Sequence, residues 1–249
     1  MLTKGVIAII PSRYDSSRFP GKPLAKISGV PMIIRVFRQV SQAIPQDQIL
    51  VATDNQQIAE VCEAAGASVR MTPSDCPTGT DRIWKAVQDI DSEIVVNVQG
   101  DEPLVDPDAI RAIIEDKRAN PACVINAMSR INDARDVNSP NVPKVVVDRT
   151  GRLVYMSRAP IPYGKTTEPA PTYYRQVCIY AFDKTQLESF GTHGGKSPLE
   201  EPEDIEILRF VDLGIPVRMV KVQASSVAVD TPDDILRVEE IIGRPRPES

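Results

Sequence analysis

Histidine is almost absent from this sequence. The only histidine among 249 residues is His193, in the glycine-flanked segment 191–196. A metal site built from several histidines, or catalysis that needs two imidazoles, is therefore excluded. The four cysteines have no Cys-x-x-Cys spacing and lie mostly in apolar stretches, which argues against a disulfide framework and a zinc site. We interpret them as small core residues.

Long hydrophobic runs and an excess of positive charge are also missing. The longest apolar runs, such as Val6–Ile10 and Ile94–Val98, are far shorter than the roughly 20 residues of a membrane helix. The first run is followed by Pro11 and charged residues instead of a signal-peptide cleavage site. We therefore expect a cytoplasmic protein without membrane insertion. The net charge of −5 would repel a nucleic-acid backbone, so we expect no nucleic-acid partner.

Several common enzyme signatures are absent as well. The sequence contains no G-x-S-x-G nucleophile elbow and no G-x-G-x-x-G dinucleotide fingerprint. The loop after the first apolar run is not a Walker A loop, because Ser16 stands where its first glycine belongs and Pro23 where its magnesium-binding hydroxyl belongs. Serine-hydrolase, NAD-dehydrogenase and P-loop interpretations all lose support.

Apolar runs do alternate with helical periodicity through the first half of the chain. The predicted strands are Val6–Ile10, Ile49–Ala52, Ser68–Met71 and Ile94–Val98. The predicted helices between them are Pro31–Gln42, Gln56–Ala65 and Asp81–Ile90. This alternation predicts an α/β fold with a mixed, mainly parallel sheet flanked by helices, in a single domain over residues 1–249.

The second half of the chain has a different pattern. Apolar runs at 142–147 and 153–156 flank a turn-rich segment, which predicts a hairpin, and Gln176–Phe182 is predicted to be another strand. We expect a small antiparallel insertion within about 122–200 that forms a lobe over the site, a dimer contact, or both. A helix is predicted to begin just after Asp230, because Thr231-Pro232-Asp233-Asp234 is a typical helix start.

The loop from Pro11 to Pro23 has the composition of a triphosphate site. It follows the first predicted strand and contains arginines, a lysine, hydroxyls and a glycine. Arginines bind phosphate oxygens in a fork, and small residues let backbone N–H groups approach an anion. The alternative is an ordinary solvated loop. The candidate nucleotide-binding residues in this loop are Pro11, Ser12, Arg13, Ser17 and Lys22.

Two aspartates stand at predicted strand ends. Asp101 follows the strand Ile94–Val98, and Asp230 follows Val229. Functional residues of such sheets collect at the carboxyl ends of the strands, and Mg²⁺ prefers carboxylate oxygens. Each aspartate alone is as easily explained as a helix cap or a turn residue. Together with the phosphate loop, they predict a shared magnesium site.

A series of short motifs runs nearly from one end of the chain to the other. The motifs are Ile10–Tyr14, Ser17–Pro23, Val51–Asp54, Thr78–Arg82, Asn97–Pro103, Ser157–Arg158, Ser197–Glu200 and Val229–Pro232. In this order they resemble the Kdo (3-deoxy-manno-octulosonate) cytidylyltransferases, also called CMP-Kdo synthetases. The resemblance implies a nucleotidyltransferase fold, a homodimer, and transfer of CMP from CTP to a sugar acid with release of pyrophosphate.

The resemblance also assigns roles to individual residues. By position, Arg13, Ser17 and Lys22 would hold the triphosphate of CTP. Thr80, Arg82 and Gln99 would frame the cytidine and the neighbouring acceptor. The magnesium-binding aspartates of the family match Asp101 and Asp230, which with Arg13 and Lys22 make up the predicted catalytic set. The acceptor-binding positions match Arg158, Gln176, Tyr180 and Glu206.

Two positions depart from the family pattern. The family usually has a histidine where this chain has Gln176, and a glutamine where it has Ile207. Both changes are expected to fall in the acceptor pocket, where they would remove polar partners for sugar hydroxyls. Kdo is the leading acceptor, and a related keto-sugar acid or another small carboxylate or phosphonate is the alternative.

Two further interpretations remain beside the leading one. A non-catalytic nucleotide-binding relative would explain the two departures, but it would not need both magnesium carboxylates. A hexose-1-phosphate nucleotidyltransferase would use a sugar phosphate as acceptor, but its glycine-rich opening loop is missing. If the acceptor is Kdo, the resemblance implies that the product feeds lipopolysaccharide or capsule assembly.

Overall fold

The computed structural model describes residues 5–15, 19–165, 171–223 and 228–243. The strands in these ranges are β1 Val6–Ser12, β2 Lys26–Ile27, β3 Val30–Pro31, β4 Ile49–Thr53, β5 Ser68–Met71, β6 Ile94–Val98, β7 Val124–Arg130, β8 Lys144–Val147, β9 Leu153–Ser157, β10 Tyr174–Phe182 and β11 Val217–Lys221. The α-helices are α1 Met32–Val40, α2 Gln56–Ala64, α3 Gly79–Val87, α4 Pro107–Ala119, α5 Ala134–Asn138, α6 Lys184–Gly191, α7 Glu200–Glu203, α8 Ile207–Asp212 and α9 Pro232–Gly243. Short 3₁₀ turns cover Lys22–Leu24 and Gln46–Gln48.

The main sheet has the order β11-β7-β10-β6-β1-β4-β5. Its strands are parallel except β10, which is antiparallel to both β6 and β7. The predicted hairpin is present as β8 and β9, and β8 joins it to β10. The predicted mixed, mainly parallel α/β sheet with a small antiparallel extension is confirmed.

The central strands are buried on both faces. Every residue of β4 and of β6 is buried, as expected for parallel strands that helices cover from two sides. One layer of apolar side chains packs with α1, α2 and α4, and the other with α3, α6 and α8. A third, much smaller cluster contains Ile27, Met32, Val229 and Val238.

Side-chain caps fix where the helices near the sheet edge begin. Asn55 Oδ1 accepts from the backbone N–H groups of Gln57 and Ile58 at the start of α2. Thr78 Oγ1 accepts from Asp81 N at the start of α3. These interactions satisfy backbone donors that have no partner within the helix. The start of α3 is consequently held in a defined place, which matters for the cleft described below.

Several elements were not predicted from the sequence. They are the short strands β2 and β3, the strands β7 and β11, the helices α4 to α6 and the short helices α7 and α8. The interpretation of the cysteines as core residues is confirmed for Cys62, which is buried. Cys123 and Cys178 are partly exposed but pack against the two large apolar clusters. The interpretation is wrong for Cys76, which is partly exposed and belongs to no cluster; all four are free thiols. No helix in the described part of the chain is both long and apolar enough to cross a membrane.

Candidate active site

The carboxyl ends of β1 and β6 come very close together. A Cβ atom placed on Gly100 would lie 2.8 Å from the carbonyl oxygen of Pro11, a distance that side chains do not tolerate. Glycine at this position lets the two strand ends approach. The loop that begins at Arg13 and the acid at Asp101 therefore lie on the same edge of the sheet.

Lys22 lies between the two predicted magnesium-binding aspartates. Its Nζ atom donates to Asp101 Oδ2 at 2.7 Å and is 3.5 Å from Asp230 Oδ1. The three residues are far apart in sequence, but β1, β6 and the start of α9 bring them to one place. The structure thus unites three of the four residues predicted to be catalytic.

The two carboxylates fit the requirements of Mg²⁺. They converge on one cation, the ammonium of Lys22, which shows that their oxygens can face a shared positive charge. In the described ranges, no group of three or more His, Cys, Asp or Glu side chains forms a complete metal cage. Mg²⁺ commonly takes one or two protein carboxylates and completes its shell with substrate phosphates and water. Asp101 and Asp230 are a donor set of this kind.

A pocket of about 340 Å³ opens beside this cluster. The predicted nucleotide-binding residues that line it are Pro11, Ser12, Arg13, Lys22, Arg82 and Gln99. Ser17 lies outside the described residues. Thr80 is only 2% exposed and does not line the pocket, and its hydroxyl donates to Glu206. Its predicted contact with the nucleotide stays a prediction.

Arg82 and Glu206 are both engaged with other protein groups. The guanidinium of Arg82 donates to Asp54 Oδ2 at 2.7 Å and to Thr72 Oγ1 at 2.6 Å. The carboxylate of Glu206 accepts from Gly79 N at 3.1 Å, and from Thr80 N at 3.0 Å and Thr80 Oγ1 at 2.5 Å. Glu206 therefore anchors the amino end of α3. Removal from solvent raises the pKa of the Glu206 carboxyl, although these hydrogen bonds oppose the shift.

A larger pocket of about 670 Å³ continues from the first. Arg13, Gln99, Asp101, Glu206 and Asp230 line both, so a ligand in one pocket borders a ligand in the other. The predicted acceptor-binding residues that line only the larger of these two pockets are Arg158, Gln176 and Tyr180. The structure therefore brings the four predicted acceptor-binding residues to one wall beside the carboxylate pair.

Arg158 holds backbone segments around the larger pocket. Its Nε donates to Glu203 O at 2.5 Å, its Nη1 to Pro140 O at 2.8 Å and its Nη2 to Asp204 O at 3.0 Å. The guanidinium has five N–H donors. Two remain for an anionic ligand after these three hydrogen bonds.

Gln176 is oriented by a small polar network. Its Nε2 donates to Asn126 Oδ1 at 3.1 Å and to the Tyr180 hydroxyl at 3.2 Å. Asn126 is fully buried and donates to the carbonyls of Val177 and Ile179, where β10 bulges. Because both amide protons of Gln176 are used, its Oε1 is the group left to accept a hydrogen bond from a ligand.

Comparison with known proteins agrees with this geometry. The family model described as cytidylyltransferase matches residues 7–215. The chain belongs to the cytidylyltransferase family. Among curated relatives, the 3-deoxy-manno-octulosonate cytidylyltransferase of Syntrophotalea carbinolica is 42% identical over 243 residues, covering 94% of this chain and 97% of the relative. That of Chloroherpeton thalassium is 36% identical over 241 residues, covering 96% and 98%.

A solved member of the family has the same fold. The structure of CMP:2-keto-3-deoxy-manno-octonic acid synthetase complexed with CTP superimposes with a TM-score of 0.88 at 34% identity, over 95% of this chain and 98% of that one. The identity and the nearly complete overlap extend the family assignment over both halves of the cleft. The predicted enzyme class, a nucleotidyltransferase of the EC 2.7.7 type, is thereby confirmed.

The two departures from the family pattern lie in different environments. Gln176 lines the larger pocket, as expected. Ile207 is 1% exposed and packs in the apolar cluster with Phe210 and Leu208, so the expectation that it changes the pocket is wrong. At the start of α8 its side chain points into the core, where an aliphatic group is well suited. Only Gln176 alters the surface that a ligand meets.

Sequence reasoning missed some residues of the cleft. Asp204 lines both pockets and pairs with Lys196, whose ammonium is the main cause that lowers the pKa of the Asp204 carboxyl. Cys178 lines the larger pocket, and burial raises the pKa of its thiol. Asp204 lies two residues before Glu206, a predicted acceptor-binding residue, and this closeness in the sequence was an available signal for it. For Asn126 no signal was available, since its role depends on a bulge in another strand.

Proposed function

We propose that this protein transfers CMP from CTP to a hydroxyl of 3-deoxy-manno-octulosonate, giving CMP-Kdo and pyrophosphate. The observation that carries this proposal is the continuity of the two pockets at the cluster of Lys22, Asp101 and Asp230. A nucleotide in the first pocket and a sugar acid in the second would meet at these charges. The names of the relatives and the CTP complex of the solved family member support this choice.

The residues of the chain suit a reaction that needs alignment and charge neutralisation. Arg13 and Lys22 would hold the triphosphate, with the α-phosphorus facing the larger pocket. The hydroxyl of the acceptor attacks this phosphorus in line and loses its proton to solvent, the bond to the oxygen that bridges the α- and β-phosphates breaks, and pyrophosphate leaves on the side of Lys22. Holding both reactants in one geometry supplies a large part of such a rate enhancement.

We propose that Asp101 and Asp230 hold Mg²⁺ during this reaction. The bound ion would neutralise phosphate charge and lower the pKa of a coordinated hydroxyl. Both aspartates line both pockets, so an ion that they held would serve a nucleotide in one pocket and an acceptor in the other.

The acceptor is the part of the proposal that most needs testing. Gln176 offers an acceptor oxygen where the family pattern has an imidazole, so the pocket favours a ligand that donates a hydrogen bond there. Magnesium-dependent release of pyrophosphate from CTP should be measured with Kdo, related keto-sugar acids, small phosphonates and sugar phosphates. ATP, GTP and UTP serve as nucleotide controls.

Each outcome of this assay has a defined meaning. Turnover with CTP and Kdo supports the proposal. Turnover with CTP and another acid keeps the cytidylyl transfer and replaces the acceptor. Turnover with a sugar phosphate favours the hexose-1-phosphate type of reaction. CTP binding without turnover on any acceptor contradicts an enzymatic role.

We propose further that the protein is a cytoplasmic homodimer whose product supplies lipopolysaccharide or capsule assembly. In the described part of the chain, β9 pairs only with β8 and is an edge strand. It exposes 55% of Val154, and Tyr163, in the segment that follows the strand in the sequence, is 87% exposed. Exposed apolar groups on an edge strand favour contact with a second chain. Sedimentation analysis should give twice the mass of one chain, and Val154→Glu should shift it toward the monomer.

A further inference from the structure

Lys22 occupies the position between the carboxylates that a metal ion would need. Its ammonium contacts Asp101 at 2.7 Å and Asp230 at 3.5 Å, and its side chain is only 14% exposed. The backbone on its amino side is fixed by the left-handed Gly21, whose N–H donates to Tyr14 O at 3.0 Å. The neighbouring Pro23 is buried. Lys22 is therefore held at the carboxylates by its backbone as well as by charge.

An ammonium and a divalent ion cannot occupy this position together. Lys22 bonds one oxygen of each carboxylate. A metal ion that took these oxygens, or the second oxygen beside each, would lie close to the ammonium, and the two cations would repel each other. Binding of a metal ion to the pair therefore favours displacement of Lys22. The displacement lowers the metal affinity of the free protein, because the interaction of Lys22 with the two carboxylates is lost.

The displaced ammonium has a second place to go. Lys22 also lines the pocket of about 340 Å³, where Arg13 is the other cation of the proposed triphosphate site. A nucleoside triphosphate offers several anionic oxygens there. An ammonium that has left the carboxylates can therefore bind the phosphates without any rearrangement of the fold.

We infer that Lys22 is a placeholder cation that couples metal binding to nucleotide binding. In the free protein it neutralises Asp101 and Asp230; when metal and nucleotide arrive, it exchanges these carboxylates for the triphosphate. Each ligand then removes Lys22 from the other ligand's path, so each raises the affinity for the other by the same factor. This inference deepens the proposed function, and its nucleotide part rests on that function.

The metal affinity of the free protein tests the first half of this exchange. Mn²⁺ should be titrated into the full-length protein without nucleotide and followed by electron paramagnetic resonance. We expect Lys22→Gln to bind Mn²⁺ roughly tenfold more tightly than the wild type, because a charge in contact with both carboxylates is removed. The matched control is Lys26→Gln, which removes the same charge from an exposed residue nearby and should change the affinity less than about twofold.

Two results would overturn the inference at this stage. One is an unchanged Mn²⁺ affinity in Lys22→Gln, since the carboxylates would then not be blocked. The other is an equal gain of Mn²⁺ affinity in Lys26→Gln, which would show that the gain comes from the change in overall charge and not from the position of Lys22. A wild type that binds no Mn²⁺ at the highest concentration used still gives a limit against which the variants are judged.

The affinity for CTP without metal tests the second half, and its first measurement, in Asp101→Asn alone, does not depend on whether Lys22→Gln folds. In the presence of a chelator, we expect Asp101→Asn to bind CTP roughly tenfold more tightly than the wild type, because Lys22 is then released to the phosphates. In a Lys22→Gln background the same substitution should give a much smaller gain. An equal gain of CTP affinity in both backgrounds would show that Asp101 simply repels the phosphates. No gain in Asp101→Asn alone would show that Lys22 does not exchange. Either result would contradict the inference.

The two halves also separate this inference from the proposed function. The Mn²⁺ titration needs neither CTP nor turnover. If Lys22→Gln tightens Mn²⁺ binding but the protein does not bind CTP, the blocking role of Lys22 is supported and the proposed function is contradicted. If the wild type turns over CTP but Lys22→Gln leaves the Mn²⁺ affinity unchanged, the proposed function is supported and the inference is contradicted.

Discussion

The two pockets of the cleft differ in how their charged side chains are satisfied. On the nucleotide side, Lys22 meets Asp101 and Asp230, which are side-chain partners that a ligand or ion can replace. On the acceptor side, Arg158 donates to three backbone carbonyls, and Glu206, which lines both pockets, accepts from the amino end of α3. The first arrangement is made of exchangeable ion pairs. The second is made of hydrogen bonds that shape the pocket wall.

This difference suggests that the two substrates are recognised by different means. An anionic, metal-bound ligand can compete for the charges around Lys22. A sugar acid instead meets a wall whose main polar groups are already engaged, so its recognition depends on the remaining donors of Arg158, on Gln176 and on shape.

The largest effect is expected at a buried ion-pair network that joins α3, which begins at the nucleotide pocket, to α7 and α8. Arg209 of α8 is fully buried and donates to Glu200 at 2.6 and 2.8 Å and to Asp81 of α3 at 3.0 Å. Arg209→Met would leave two carboxylates without their cation. We expect the free energy of unfolding to fall by about 3–5 kcal/mol, as for other broken buried ion pairs. Urea denaturation measures this loss. A change below about 1 kcal/mol would show that α3, α7 and α8 are held together mainly by apolar contacts.

Replacement of one carboxylate of the proposed metal site should abolish most of the activity without unfolding the protein. We expect Asp101→Asn to lower kcat by about 10²–10³-fold or more, a loss typical when an electrostatic contributor is removed from a transition state. The melting temperature should change little, because Asp101 is partly exposed. Asp108→Asn, at an exposed position on α4, is the control. Near-normal turnover in Asp101→Asn would remove Asp101 from the metal site.

A substitution at Glu206 distinguishes two roles of this residue, which are to hold the start of α3 in place and to contact the acceptor directly. Because its carboxylate holds Gly79 and Thr80, we expect Glu206→Gln to raise the KM for CTP by about tenfold, which corresponds to about 1.4 kcal/mol, through a displaced start of α3. A direct contact with the acceptor would instead raise the KM for the acceptor alone. Steady-state kinetics with each substrate varied in turn separate the two roles.

The same residue predicts a dependence of stability on pH. The pKa of Glu206 is raised in the folded protein, so the folded state binds this proton more tightly than the unfolded chain does. Its contribution to the free energy of unfolding therefore falls as the pH rises from about 4.3, the usual value for glutamate, to the raised pKa. Comparison of wild type and Glu206→Gln by urea denaturation across this range should show the slope only in the wild type. An equal slope in both would assign it to other groups.

The smallest effect is expected at the one departure that faces the ligand. Gln176→His should change the KM for the acceptor by about fivefold, the size of one hydrogen bond, and leave the KM for CTP within about twofold. Ile207→Gln is the paired control, because it lies in the core and should lower the melting temperature instead. A change in the KM for CTP in Gln176→His would show that the two pockets are not recognised independently.

Much of the nucleotide side could be predicted from the sequence. Buried parallel strands produce apolar runs, and the loops at their carboxyl ends carry the charged residues, so Arg13, Lys22 and Asp101 were found directly. The acceptor side was harder, because its geometry depends on contacts between distant segments. The burial of Ile207, the network of Asn126 and the anchoring role of Glu206 follow from tertiary packing and leave no periodic pattern in the sequence.

The helix that follows Asp230 rests on very little core. Its only buried side chain is Val238, which packs with Ile27, Met32 and Val229 in the smallest apolar cluster of the described chain. A segment with so few buried contacts can open locally at a free energy below that of global unfolding. Amide hydrogens of this helix should therefore exchange faster than those of β6. Since opening would carry Asp230 away from Asp101, heat should inactivate the enzyme before the central sheet melts.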